Sequence, residues 1–318
     1  MDKIKPSKVI KKISKNLFLA ACEGLVSKAL FEEGLAAGLS QEGEGFWLRG
    51  FGPLHASTLG CQAEHTRRLI GAGADVNLRD EYAVTPLMQA CITGEEEVVR
   101  LLLGAGAKTN CLNIKGESPL VLAAGGGSVG VVRQLLAAGA QIDDGITKGW
   151  TALTEACRLG QVEVVLELLA AGASVVGDLS PITKDLNKEQ STEDSTEYGQ
   201  ADELRIWEPL LSAAMGNKKS CILALLKAGA QVDSRDGQEQ TGLMIALGTR
   251  DEASVQIFMA AGADLDAKRS NGENITEIAK KIGPDWTLMI QVERVRREAL
   301  AIEEGLGSGV VKPRMLRL

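Results

Sequence analysis

The segment "TPLMQACITGEEEVVRLLLGAGA" starts at Thr85, and its opening position returns at Lys15, Gly52, Ser118, Thr151, Glu208, Thr241 and Asn274. The steps from Gly52 to Thr151 are 33 residues each, as are those from Glu208 to Asn274. Lys15 to Gly52 is one period plus 4, and Thr151 to Glu208 is one period plus 24. A fixed period of this size restricts the fold severely. Each unit is one supersecondary element that cannot bury its apolar face alone, so the units must stack.

The unit reads as two short helices. Thr85 supplies a capping hydroxyl and Pro86 suits the first helical turn. Leu87 and Ala90 share one helical face, with alanine admitting a close neighbour. Gly94 ends the first helix, because glycine takes left-handed angles without a steric penalty. Val98, Leu101 and Leu102 then form an apolar stripe at helical spacing, which Gly106 ends. In the preceding unit, "GADVNLRD" carries the Asp and Asn of a turn leading to the next repeat.

This pattern resembles the ankyrin repeat, whose unit runs TPLHxAAxxG, a second helix, then LLxxGADVN. The nearest copies are "TPLMQACITGEEEVVRLLLGAGA", "SPLVLAAGGGSVGVVRQLLAAGA" and "TALTEACRLGQVEVVLELLAAGA". The resemblance implies an all-α ankyrin-repeat solenoid of about eight helix-turn-helix units, joined by β-hairpin-like turns. The repeat domain is expected over residues 15–304. Basic extensions, 1–14 and 305–318, flank it, and residues 177–203 interrupt it. The divergent first and last units fit terminal caps. The family's TPLH histidine survives only as His55, which is read as structural. Its counterparts are Phe18, Met88, Val121, Thr154, Leu211, Met244 and Glu277, so the polar stitch that histidine makes between repeats is expected to be mostly absent.

Composition narrows the function. The chain has 318 residues, 45% hydrophobic, enough for a large core. No apolar run reaches the roughly 18–20 residues of a membrane helix, and the lysine-rich start lacks the apolar stretch of a secretory signal. Six cysteines without a CxxC pair, and only two histidines, argue against a zinc site or a disulfide framework and fit free thiols in a reducing compartment. "GLGSG" and "AAGGGSVG" lack the context of phosphate loops. No nucleophile elbow or triad is in reach. The expectation is therefore no enzyme, no cofactor, no metal and no small-molecule substrate.

Charge is unevenly spread. Residues 177–203 hold eight acidic side chains against Lys184 and Lys188, which reads as a mobile acidic loop. "STEDST" inside it sets hydroxyls beside carboxylates, a pattern that would suit phosphorylation or partner docking. The first 16 residues carry six lysines and one aspartate, and the last 14 carry Lys312, Arg314 and Arg317. An acidic body disfavours nucleic acid along its length. Only an adaptor using the basic ends would touch it.

The expected function is a non-catalytic scaffold or adaptor that binds one or more proteins, as an architectural subunit of a larger assembly. A regulator or inhibitor of an enzyme is the weaker alternative. The expected location is intracellular and cytoplasmic, with organellar import left open, and the chain is not expected to span a membrane. Partners would meet the concave face and the hairpin tips. The candidate contacts are Trp47, Arg49, Phe51, Tyr82, Val84, Ile92, Lys115, Lys148, Trp150, Arg158 and Trp207, since Trp, Tyr and Arg dominate binding hot spots. The resemblance also marks Asn77 as a candidate for hydroxylation. Residues 284–304 are predicted to form a long last helix, anchored by Trp286, that caps the stack and could reach another protein.

Overall fold

Helices of seven to nine residues are marginal in water on their own, so this chain holds its short helices by packing them in pairs. The computed structural model describes residues 52–143, 150–176 and 208–303. They fall into two compact units divided after residue 146. The predicted first repeat, the acidic insertion and both basic ends lie outside the described residues, as do Trp47, Arg49, Phe51, Lys148 and Trp207.

The first unit contains α1 (Pro53–Leu59), α2 (Ala63–Gly71), α3 (Pro86–Thr93), α4 (Glu96–Gly104), α5 (Pro119–Gly126) and α6 (Val129–Ala137). First helices α1, α3 and α5 stack on one another, and second helices α2, α4 and α6 form a parallel layer behind them. Thr85 and Ser118 accept the backbone N–H groups of Met88 and Val121, as capping residues should. Leu87, Ala90, Cys91, Val99 and Leu102 are sealed from solvent.

The second unit contains α7 (Ala152–Leu159), α8 (Val162–Ala170), α9 (Pro209–Met215), α10 (Lys219–Lys227), α11 (Gly242–Gly248), α12 (Glu252–Ala260), α13 (Ile275–Ile282) and α14 (Pro284–Glu303). α7 and α9 pack directly together although the insertion separates them in sequence. Their approach is close: a Cβ on Gly216 would lie 2.6 Å from the Arg158 carbonyl oxygen. The insertion therefore adds chain without opening the stack between these helices.

Second helices end in a repeated left-handed turn. The N–H of Ala107 reaches Leu102 O across Gly106, and Ala140, Ala173, Ala230 and Ala263 repeat the bond. The turn between paired helices is less uniform. Its left-handed position is glycine in three units (Gly94, Gly127, Gly160) but Cys61, Asn217 and Arg250 in three others, with φ of 55° to 58°.

The hairpin tips are built around a side-chain acceptor. Asp80 Oδ1 accepts the N–H groups of Tyr82 and Val84, Asn113 Oδ1 those of Lys115 and Glu117, and Asp236 Oδ1 those of Gln238 and Gln240. Successive tips are stitched together at a fixed register. Lys108 N–H donates to Asn77 Oδ1 at 2.8 Å, Gln141 N–H to Asn110 Oδ1 at 3.2 Å, and Asp264 N–H to Asp233 Oδ1 at 2.8 Å. Each bond spans 31 residues. This ladder supplies the polar connection that the missing histidines do not.

The last helix is long, as predicted, but its anchor differs. Trp286 is only partly buried, whereas Ile290 is fully buried. Polar groups do the rest. Arg297 donates to the carbonyl oxygens of Met259 and Ala263 at 2.9 and 2.8 Å, satisfying the end of α12. Glu293 holds Arg297 in place at 2.9 Å and also pairs with Arg296. Arg294 donates to Leu265 O at 2.7 Å. A clamp of arginines has no signature in an apolar pattern, so the sequence pointed to the largest apolar side chain instead.

Candidate protein-interaction surface

Stacking consumes one face of each first helix and leaves one edge over. The residue seven after the capping position lies on that edge: Leu59, Ile92, Gly125, Arg158, Met215 and Gly248. In the first unit this edge is apolar, with Leu59 and Ile92 both exposed. Neighbouring stacked helices lie roughly 8–10 Å apart, which sets the spacing of such a row.

The tips add a second apolar pair. The bonds to Asp80 fix the loop that projects Tyr82, and Tyr82 O accepts the N–H of Ile114 at 3.0 Å. Leu59, Ile92, Tyr82 and Ile114 are between 41% and 65% exposed. Lys115 is exposed beside Ile114. Val84 is half-buried, and its carbonyl is engaged by His55. Sequence reasoning missed Ile114, although an isoleucine inside the polar tip "NIKG" was a legible signal.

In the second unit the surface is built differently. The Arg158 guanidinium sits 5.7 Å from the centroid of the Trp150 ring. Glu155 orients it through two hydrogen bonds, of 2.9 and 2.7 Å. Trp150 and Arg158 are both half-buried, so the ring is braced on its own repeat while part of it faces solvent. Such a cation–π pair contributes about 0.5–1 kcal/mol at exposed sites.

Asn77 uses both ends of its amide in the ladder: Oδ1 takes the Lys108 N–H and Nδ2 donates to Gly106 O at 3.3 Å. His55 is buried. Its Nδ1 accepts the Gly52 N–H at 3.2 Å, so Nε2 carries the proton and donates to Val84 O at 3.0 Å. Burial lowers its pKa from the usual 6.5, against the bond to Val84 and the charge of Asp80. His65 bonds to Gln62 on the same turn.

Cys91 is buried and its thiol is pushed far up in pKa by desolvation. Cys157 on α7 and Cys221 on α10 are buried neighbours whose thiols interact, which together with burial raises the pKa of Cys157. Among the described residues no group of His, Cys, Asp and Glu is arranged to hold a metal ion. No described helix is long and apolar enough to cross a membrane.

A family model for ankyrin repeats matches residues 17–113 and 97–177, half of the chain. No curated protein shows significant sequence similarity to it. Among solved structures, the ankyrin repeat domain of human ASB11 superposes with a TM-score of 0.62 at 23% identity, covering 76% of this chain and 97% of that one. At that identity the likeness concerns the fold.

Proposed function

Because the chain belongs to the ankyrin repeat family, whose members are generally protein–protein interaction modules, we propose that it is a non-catalytic intracellular scaffold that binds protein partners along the exposed edge of its first helices and its hairpin tips. The observation that carries this reading is the set of exposed apolar side chains Leu59, Ile92, Tyr82 and Ile114. They occupy positions that neither stacking nor capping requires, and exposed apolar clusters mark contact sites. Trp150 and Arg158 supply the equivalent feature of the second unit. A scaffold of this type fits an architectural subunit of a larger assembly.

The test is quantitative affinity purification from cells with matched variants. Tyr82→Ala and Ile92→Asp should each weaken a true partner by about thirtyfold, as a hot spot of about 2 kcal/mol implies. Glu163→Ala, on the exposed side of α8, should leave it bound. Melting temperatures on the same proteins separate binding from bracing. If Trp150→Ala lowers stability and every partner is retained by all four variants, the surface is not the binding site.

A further inference from the structure

Two of the buried thiols meet at the junction that the insertion interrupts. Cys157 stands six places after the capping position of its unit, and Cys221 stands thirteen after that of the next one. Both places are sealed from solvent here, as they are at Cys91 and Val131 and at Ala214 and Ser254. Only the units capped by Thr151 and Glu208 put cysteine at both. The backbone brings the two helices together at this point. A Cβ on Gly216 would lie 2.6 Å from the Arg158 carbonyl oxygen, and one on Gly160 would lie 2.7 Å from Lys218 Cδ. The last turn of α7, which holds Cys157, thus abuts the turn that opens α10, whose first helical turn holds Cys221. The two thiols interact directly. In sequence, residues 177–203 separate the same two units.

We infer that Cys157 and Cys221 form a dithiol site that a peroxide oxidises to a disulfide, stapling α7 to α10 across the interrupted junction. The reaction balances on two thiols and one peroxide. Cys221, with the Lys218 ammonium acting on its sulfur against Glu163, attacks as the thiolate. Its S–O bond forms as the O–O bond breaks, and the departing hydroxide takes up the proton the thiol released, leaving water and a sulfenic acid. The Cys157 sulfur then attacks the sulfenic sulfur. The S–S bond forms, the S–O bond breaks, and hydroxide leaves with the Cys157 proton as a second water. The thiols together lose two electrons and the peroxide gains them. Neighbouring sulfurs need only contract to a bond of about 2 Å.

Sealed thiols are inert while the stack is closed, so the peroxide enters when the junction opens locally. The chain gives a reason for opening here. In a row of nearest-neighbour contacts, this junction is closed through a connection 24 residues longer than the period, and longer connections cost more to close, if slowly. The disulfide closes a ring from 157 to 221 that contains the whole insertion, and stabilisation by a disulfide grows with the size of its ring. The device is a lock: opening admits the oxidant, and oxidation forbids further opening. Two glutathione thiols supply the electrons that release it. This inference concerns the inside of the stack and stands independently of the partner surface on the first helices.

The experiment exposes the reduced full chain to millimolar hydrogen peroxide under native conditions, blocks the remaining thiols and maps disulfides by mass spectrometry. Cys61, which is exposed, reports how far the reagent acts on an open thiol. A peptide pair joined through Cys157 and Cys221 should accumulate. The melting temperature should rise with it by about 5–10 °C, and dithiothreitol should restore the original curve. Cys221→Ser should abolish both the joined peptide and the rise while leaving the oxidation of Cys61 unchanged. The wild-type chain carries the cross-link measurement by itself, so the inference stays testable if that variant fails to fold. Both thiols still free after Cys61 is consumed would overturn the inference. So would separate oxidation of either thiol to a sulfinic acid without a joined peptide, or a cross-link that lowers the melting temperature.

Discussion

His55 Nε2 donates to the carbonyl oxygen of Val84 at 3.0 Å, tying the first helix of one repeat to the hairpin entering the next. The bond needs a neutral ring, because Nδ1 is already accepting the Gly52 N–H. Burial accordingly depresses the pKa below 6.5 in the folded state. As pH falls, the unfolded chain takes up this proton first. Stability from His55 is therefore whole above the unfolded value and is lost as pH drops below it toward the folded pKa. Urea unfolding of the first unit at about pH 7.5 and about pH 5.5 should show this loss. His55→Gln should reduce the difference, leaving the contribution of His65, whose pKa burial also lowers.

Asn77 should matter for stability out of proportion to its exposure. Asn77→Ala removes the acceptor for the Lys108 N–H and the donor to Gly106 O together, and should cost about 1–2 kcal/mol. Asn77→Asp keeps the acceptor and loses only the donor, so its cost should be clearly smaller. The second unit already uses a carboxylate at the same place, Asp233. Denaturant midpoints of the two variants, compared with wild type, check the ranking.

Arg250 sits at φ 58°, in the left-handed region where Gly94, Gly127 and Gly160 stand in other repeats. A side chain there costs roughly 1–2 kcal/mol, partly offset by the freedom glycine would regain in the unfolded chain. Arg250→Gly should therefore raise stability by about 0.5–1 kcal/mol, or a melting temperature by about 1–4 °C. Gly160→Ala should do the opposite, since a Cβ there would also press on Lys218 at 2.7 Å. Calorimetry on both variants tests the pair.

Replacing residues 177–203 by a short Gly-Ser linker should leave the second unit folded, with a melting shift of no more than about 3 °C. The reason is the direct packing of α7 on α9: when two helices are already in contact, the closure entropy of the chain that joins them varies only slowly with its length. A fall of more than about 8 °C would show that the insertion contributes contacts of its own.

Periodicity made most of the fold legible, because stacking dictates which positions are small, apolar or capping. Where it misled, a neighbour had replaced the expected residue. "GPLHASTLG" and "EPLLSAAMG" place a glycine one residue early, so the left-handed turn falls on Cys61 and Asn217. "TGLMIALGT" lacks the proline after the capping threonine because the Phe258 ring occupies that space, 2.4 Å from where a Cβ on Gly242 would lie. At α14, hydrophobicity singled out Trp286, while burial fell on Ile290 and the grip on Glu293 and Arg297. Of the proposed surface, the exposed or half-buried places of Tyr82, Ile92, Trp150 and Arg158 follow from repeat position. Ile114 has no such fixed place in the repeat, and its only signal was an isoleucine in an otherwise polar tip.

The stitches between hairpins have a direction. In the three stitches among the described residues the backbone N–H comes from the later repeat, at Lys108, Gln141 and Asp264, and the side-chain oxygen that receives it from the earlier one, at Asn77, Asn110 and Asp233. A ribosome delivers the chain in that same order. At about 5–20 residues per second, one 33-residue repeat emerges every 2–7 s or so, whereas helices form in microseconds. Each hairpin therefore emerges after the repeat that carries its acceptor, and its partner is one repeat behind.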